Sequence, residues 1–127
     1  MFDSIHEECG VFGIFTKNGE VDVVRDTYFA LYALQHRGQQ SCGIAVNDNG
    51  TIISHKDAGL VPEVFNEMVV NHLSGGQCAI GHTMYGKATK NSRIDAQPLV
   101  AKYIGDTIAI SHNGNIINAQ ELKEELQ

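Results

Sequence analysis

A cysteine, Cys9, opens the apolar run Cys9-Gly10-Val11-Phe12-Gly13-Ile14-Phe15 directly after two glutamates. A thiol at the head of a strand is a candidate nucleophile. If residues 1 to 8 are removed, the same residue also carries a free α-amine, a base whose ordinary pKa of about 7.7–8.0 suits proton transfer near neutrality. The plain alternative is an apolar filler, because unmodified cysteines are mostly buried. Ser111-His112-Asn113-Gly114-Asn115 offers a second chemistry. An asparagine amide and the following glycine N–H can point at one place, as needed to hold a negative oxygen in a tetrahedral intermediate. An ordinary Asn-Gly turn reads the same way. In Gln35-His36-Arg37-Gly38, Arg37 either presents a fork of donors to a carboxylate or caps the carbonyls of a helix end. His82 and Thr83, in Gly81-His82-Thr83-Met84-Tyr85, are polar groups at a strand end that line a pocket or satisfy a loop. A metal reading for His82 and His112 is weak, since no carboxylate accompanies them at a suitable spacing.

These residues need elements to position them. Residues 9 to 16 read as a strand apolar on both faces, suited to a sheet covered on both sides, and Gly10 and Gly13 imply a close approach to its backbone. Lys17-Asn18-Gly19-Glu20 has hairpin character. Residues 24 to 36 carry a broad apolar helical face, stopped by Arg37-Gly38. Residues 42 to 46 and 51 to 55 read as strands joined by Asn47-Asp48-Asn49-Gly50. Pro62 fits the first turn of a helix running to about Leu73, with Val64, Phe65, Met68, Val69 and His72 on one side. Residues 77 to 83 form a further strand, residues 85 to 91 are turn-like, and residues 99 to 112 read as a hairpin. Asn118 and Glu121 form a capping box that opens a last helix. Strands, three helices and antiparallel turns favour an α+β layered fold over a doubly wound one. No phosphate-loop pattern and no strand-to-helix glycine turn supports nucleotide binding.

Composition narrows the classes further. The chain has 127 residues, enough for one core, with 43% apolar and 19% charged residues. A formal charge of −6 without a Lys/Arg cluster argues against nucleic acid. No run is long enough for a membrane span and no secretory pattern opens the chain, so a cytoplasmic location is expected. The three cysteines, Cys9, Cys42 and Cys78, lack metal-ligand spacing, and the last two read as core residues.

Taken together, Glu7-Glu8-Cys9-Gly10-Val11-Phe12-Gly13-Ile14, Leu34-Gln35-His36-Arg37-Gly38-Gln39 with Ser41 and Gly43-Ile44, Gly81-His82-Thr83, Ala96-Gln97-Pro98-Leu99, and His112-Asn113-Gly114-Asn115 with Asn118 closely resemble the N-terminal-nucleophile (class II) glutamine amidotransferases. The pattern is nearest to the glutaminase part of the amidophosphoribosyltransferases, and it spans nearly the whole chain. The resemblance implies a four-layer α/β/β/α sandwich of antiparallel sheets, of which residues 9–127 are the N-terminal half, preceded by a leader, residues 1–8, that is removed autocatalytically. It implies that the Cys9 thiolate attacks the side-chain carbonyl of glutamine while its own α-amine shuttles the proton to the departing ammonia. Asn113 and the Gly114 N–H would form the oxyanion hole, where one donor is worth about 3 kcal/mol in comparable sites. Arg37, His82, Thr83 and Met84 would belong to the substrate-binding rim. The family carries an arginine for the glutamine α-carboxylate at the position of Met84, and methionine supplies neither charge nor donor. Gly86-Lys87 likewise replaces the usual small hydroxyl pair.

The resemblance also implies what lies outside this segment. A later aspartate for the substrate amino group, a phosphoribosyl-transfer domain that works with magnesium and phosphoribosyl diphosphate, and homo-oligomeric assembly all belong to the full-length enzyme. Some members carry an iron–sulphur cluster through cysteines beyond these residues, and no cofactor is expected within them. The segment alone is expected to be incompetent in catalysis and prone to association through an uncovered sheet. Two other readings stand beside a working glutaminase: a catalytically silent relative that binds a partner or a small amide, and a sibling amidotransferase such as glucosamine-phosphate synthase or asparagine synthase.

Overall fold

The computed structural model describes residues 9–35, 39–85, 92–114 and 116–127. The leader, Arg37, Gly86 and Lys87 lie outside them. The chain begins with β1 (Cys9–Phe15), α1 (Val23–Leu34), β2 (Gln39–Asp48) and β3 (Thr51–Ala58). The short helices α2 (Val61–Val64) and α3 (Glu67–Leu73) follow, then β4 (Cys78–Tyr85), α4 (Ser92–Asp95), the ribbon β5 (Leu99–Tyr103) and β6 (Asp106–Ile110), and α5 (Ala119–Glu125). Strands β1 to β4 form one antiparallel sheet in the order β1-β4-β2-β3, and β5 and β6 form a second, two-stranded one.

Helix α1 starts because the Asp22 side chain accepts from the Arg25 N–H at 3.0 Å, and it buries Val23, Val24, Thr27 and Leu31 at helical spacing. It ends at Leu34, two residues before the expected stop. Gln35 is extended, and its side-chain oxygen accepts from the Val61 N–H at 3.2 Å, which caps α2 instead of continuing α1. The single helix expected from Pro62 to Leu73 is broken in two. Phe65 leaves helical geometry, and Asn66 recaps α3 by accepting from Val69 N–H at 2.9 Å. The break turns Val61, Val64, Phe65, Val70 and Leu73 into the core and leaves Met68 78% exposed, against the expected face.

The Lys17–Glu20 turn leads into α1 rather than back along a hairpin, because β1 pairs with β4 and not with a sequence neighbour. The Asn49-Gly50 turn does close the β2–β3 hairpin. Both residues have positive φ, 50° and 91°, and the Asn47 side chain accepts from Gly50 N–H at 2.8 Å. At Asn118 the structure shows no side-chain cap, so the expected capping box is not formed; Asn118 has φ −114°, ψ 35°, away from the extended geometry of a capping residue.

The main sheet has two unlike faces. Cys42, Ile44, Val46 and Ala79 pack against α1, α2 and α3 in one continuous core. The approach is close enough that a Cβ on Gly81 would lie 2.7 Å from Thr27 and 3.0 Å from Leu31, and one on Gly10 would lie 2.9 Å from Thr83 Oγ1 and 3.1 Å from Leu34. Gly10 therefore has the close contact its sequence position implied. Gly13 does not, since its nearest neighbour would be 3.8 Å away. The other face carries Val11, Phe15, His82 and Gly43, and among the described residues the ribbon and the 96–98 segment cover it in part, leaving Phe15 67% exposed. The far face of the ribbon is apolar and open, with Leu99, Tyr103, Ile108 and Ile110 all exposed. Helices, a four-stranded sheet and a second sheet are thus three successive layers of an α+β sandwich, and that open face is where a fourth would pack.

Candidate active site

Strand register sorts the expected site residues. Cys9 pairs with Met84, which pairs with Ser41 on its other side, and the next row inward on the same face is Val11, His82, Gly43 and Lys56. Cys9 and His82 are therefore diagonal cross-strand neighbours on one face of the sheet. Thr83 sits in the intervening row, buried on the opposite face against Gly10 and α1. Cys9 is partly exposed, whereas His82 is fully buried.

The second sheet brings the Asn-Gly segment to this face. An open cleft of about 240 Å³ sets Thr107, Ile108 and Ala109 over Ala45, Cys78 and Ile80. A neighbouring cleft sets Ala109, Ile110 and Ser111 over Val11, Phe12 and Gly13. Strand β6 thus advances along β1 toward the Cys9 end. It arrives at His82, whose Nε2 is 3.0 Å from the His112 carbonyl oxygen. Asn113 and Gly114 follow at once, both exposed, and the His112 ring lies within 3.5 Å of where a Gly114 Cβ would be.

A carbonyl only accepts, so His82 carries its proton on Nε2 and Nδ1 holds a lone pair. Burial pushes the His82 imidazole below its ordinary value of 6.5; the hydrogen bond to His112 opposes that and the nearby His112 ring adds to it. His82 Nδ1 and Ser111 Oγ are buried without a hydrogen-bond partner among the described residues.

Three further groups belong to this region, and the folded register shows what each does there. The Gln97 side-chain oxygen accepts from the His112 N–H at 2.8 Å, and Gln97 is itself buried. Gly43 leaves the space through which Gln97 and Pro98 pass, since a Cβ there would collide with the Gln97 carbonyl and lie 2.9 Å from Pro98 Cδ. Lys56, beside Gly43, donates to the Ala96 carbonyl at 2.7 Å. The Gly43-Ile44 and Ala96-Gln97-Pro98-Leu99 motifs were the local signals for two of these groups, and Lys56 carried none.

Among the described residues no group of three or more His, Cys, Asp or Glu could hold a metal, and no helix is long and apolar enough to cross a membrane. The three cysteines form no disulfide among the described residues, with Cys42 buried and Cys78 partly exposed along the inter-sheet cleft.

A cysteine-headed edge strand in an antiparallel sheet, faced by a second sheet that delivers an Asn-Gly loop, defines the class of N-terminal-nucleophile α+β sandwiches. Solved structures share it. The chain matches one described as the allosteric regulatory enzyme of purine biosynthesis with a TM-score of 0.78 and 37% identity, over 91% of this chain and 24% of the other. It matches a glutamine phosphoribosylpyrophosphate amidotransferase from B. subtilis, complexed with ADP and GMP, with a TM-score of 0.75 at the same identity and coverage. No family model matches. In sequence, the chain is 46% identical over 124 residues to the amidophosphoribosyltransferase of Synechocystis sp., covering 98% of this chain and 24% of the relative. It is 44% identical over 124 residues to that of Methanothermobacter thermautotrophicus, covering 97% and 26%, and 43% identical over 126 residues to the chloroplastic amidophosphoribosyltransferase 3 of Arabidopsis thaliana, covering 98% and 23%. The chain matches the N-terminal part of amidophosphoribosyltransferases and of solved phosphoribosylpyrophosphate amidotransferases, consistent with an N-terminal-nucleophile glutaminase domain. It spans about a quarter of the length of these relatives.

Proposed function

We propose that this domain, within its complete protein, hydrolyses glutamine to glutamate and ammonia, with Cys9 as the nucleophile once the leader has been removed. The thiolate adds to the side-chain carbonyl carbon, and the C–N bond breaks as the α-amine of Cys9 returns the thiol proton to the leaving nitrogen. The resulting thioester is then cleaved by water. Asn113 and the Gly114 N–H stabilise the oxyanion in both steps. Arg37 and Met84 bound the glutamine pocket, His82 supports it from beneath through the His112 carbonyl, and Thr83 acts from the helical side through its backbone and its packing on Gly10. The ammonia serves phosphoribosylamine formation from phosphoribosyl diphosphate, the first step of purine synthesis, in the cytoplasm and within a homo-oligomer. Magnesium belongs to that second reaction, and no residue of this chain is assigned to it. The observation that carries the reading is the row-by-row advance of β6, which ends at the His82 row beside the Cys9–Met84 row with Asn113 and Gly114 next in sequence.

Two measurements on the complete protein test it. Intact mass must show a chain beginning at Cys9, and a glutamine-like electrophile must then form an adduct on that residue. A processed protein that forms none overturns the proposal. Met84 favours a second reading, a silent relative that binds a small amide, because it is the register partner of Cys9 and brings no charge to that spot. Met84→Arg separates the two: a gain in glutamine affinity places the missing carboxylate partner here, and an unchanged affinity shows that the position does not meet the substrate.

A further inference from the structure

One transverse row of the sheet holds two loops at once. His82 donates to the His112 carbonyl, Gly43 leaves room for Gln97 and Pro98, and Lys56 donates to the Ala96 carbonyl, all from neighbouring positions in register. The two loops are joined in turn, because the Gln97 side chain accepts from the His112 N–H.

We infer that His82 and Gln97 are positioning residues that clamp the two peptide groups flanking the His112 Cα and thereby orient Asn113 and Gly114. The inference rests on the reading of those two residues as the oxyanion hole. Gln97 fixes the plane between Ser111 and His112 through its N–H, and His82 fixes the plane between His112 and Asn113 through its carbonyl. Two consecutive fixed planes leave little freedom in the backbone that leads to the Gly114 N–H. The burial of both side chains makes the clamp stiff, since a buried amide or imidazole that loses its partner is left unsatisfied. Asn113 and Gly114 are exposed, so the sheet-side bonds at His112 supply order that burial does not. Neither clamp residue needs to touch glutamine. An oxyanion hole depends on donors fixed before the charge develops, so a loosened loop slows the chemical step more than it weakens binding.

The test uses four variants of the complete protein. Gln97→Leu removes the acceptor and Gln97→Glu keeps one; His82→Leu removes the donor and His82→Gln keeps an N–H at the corresponding reach. Hydrogen exchange by mass spectrometry is read over residues 107–114, with Ala79–Gly81 as the internal control. Gln97→Leu and His82→Leu are expected to speed exchange of the 111–114 amides about tenfold or more and leave the control amides unchanged. Glutamine-dependent ammonia release should lose about thirtyfold in kcat with KM within about threefold, and Gln97→Glu and His82→Gln should recover most of both losses. Unchanged exchange over 111–114 overturns the clamp. So does a uniform rise that includes β4, or failure of both conservative variants to restore local protection. If the wild-type protein releases no ammonia, the glutaminase reading fails, while the exchange comparison still decides the clamp.

Discussion

The two faces of the four-stranded sheet differ in what they ask of their residues. On the helical side, Cys42, Ile44, Val46 and Ala79 meet α1, α2 and α3 in a closed apolar core. On the ribbon side the covering is partial, Val11 is 47% exposed, and the buried groups include a histidine and a glutamine joined through one backbone residue. The helical face holds the fold, and the ribbon face holds the polar geometry. A residue's effect when changed should follow the face it occupies, and a period-two strand sends alternate residues to different tasks.

Cys9→Ala should break the comparison most visibly. It removes the nucleophile on the ribbon face, so ammonia release from glutamine should fall by about a thousandfold or more, while the thermal midpoint stays within a few degrees. A kinetic assay paired with a melting curve checks both halves. A loss of folding equal to the loss of activity would return Cys9 to the role of packing residue.

Leu31 tests the opposite face. It is fully buried and lies against Gly81, so Leu31→Ala should cost about 2–5 kcal/mol by denaturant titration. Ile108, on the outer face of the ribbon and 59% exposed, has far less area to lose, and Ile108→Ala should stay within about 1 kcal/mol in this chain. Equal costs would mean that the ribbon is as firmly packed as the core.

The same division explains what the sequence made legible. The Cys9 strand, the Asn49-Gly50 hairpin and the 99–112 hairpin were legible because a short apolar run and turn chemistry are local, although the strand's two apolar faces implied a fuller cover than Phe15, 67% exposed, receives. The motifs that carry the family resemblance were legible because each is short and contiguous. The break at Phe65-Asn66 was hidden, since a helical run followed by an N-cap residue is also a plausible continuous helix, and the core settles the matter by taking Phe65 rather than Met68. The row Val11–His82–Gly43–Lys56 was equally hidden. It joins residues up to 71 positions apart, and only strand register places them side by side. The orientation of Thr83 was illegible for the same reason: the strand was visible, but not which alternate set faces the helices.

Gly10 and Gly13 lie in one strand and face opposite sides, which sharpens the contrast. A Cβ at Gly10 would press on Thr83 and Leu34, so Gly10→Ala should destabilise by about 1–3 kcal/mol. At Gly13 the nearest atom would be an ordinary 3.8 Å away, and Gly13→Ala should be neutral or stabilising by about 0.5 kcal/mol. Urea titration of the pair decides whether the ribbon face has the slack that these contacts describe.

The smallest effect concerns pH. Among the described residues, His82 is the only buried side chain whose charge ordinarily changes between pH 5 and 8. Its folded pKa is lowered, chiefly by burial, so the unfolded chain binds the proton more readily. The stability linked to neutral His82 is therefore complete above the unfolded value of 6.5 and is lost as pH falls from there through the lowered folded value. Protonation would also put a charge on Nδ1, which has no hydrogen-bond partner among the described residues, on the face that holds His112 in place. Denaturation midpoints measured between pH 8 and pH 5 should fall less steeply for His82→Gln than for the wild type. Parallel curves would mean that protonated His82 is tolerated where it sits, and that the ribbon face opens to water more readily than the helical one.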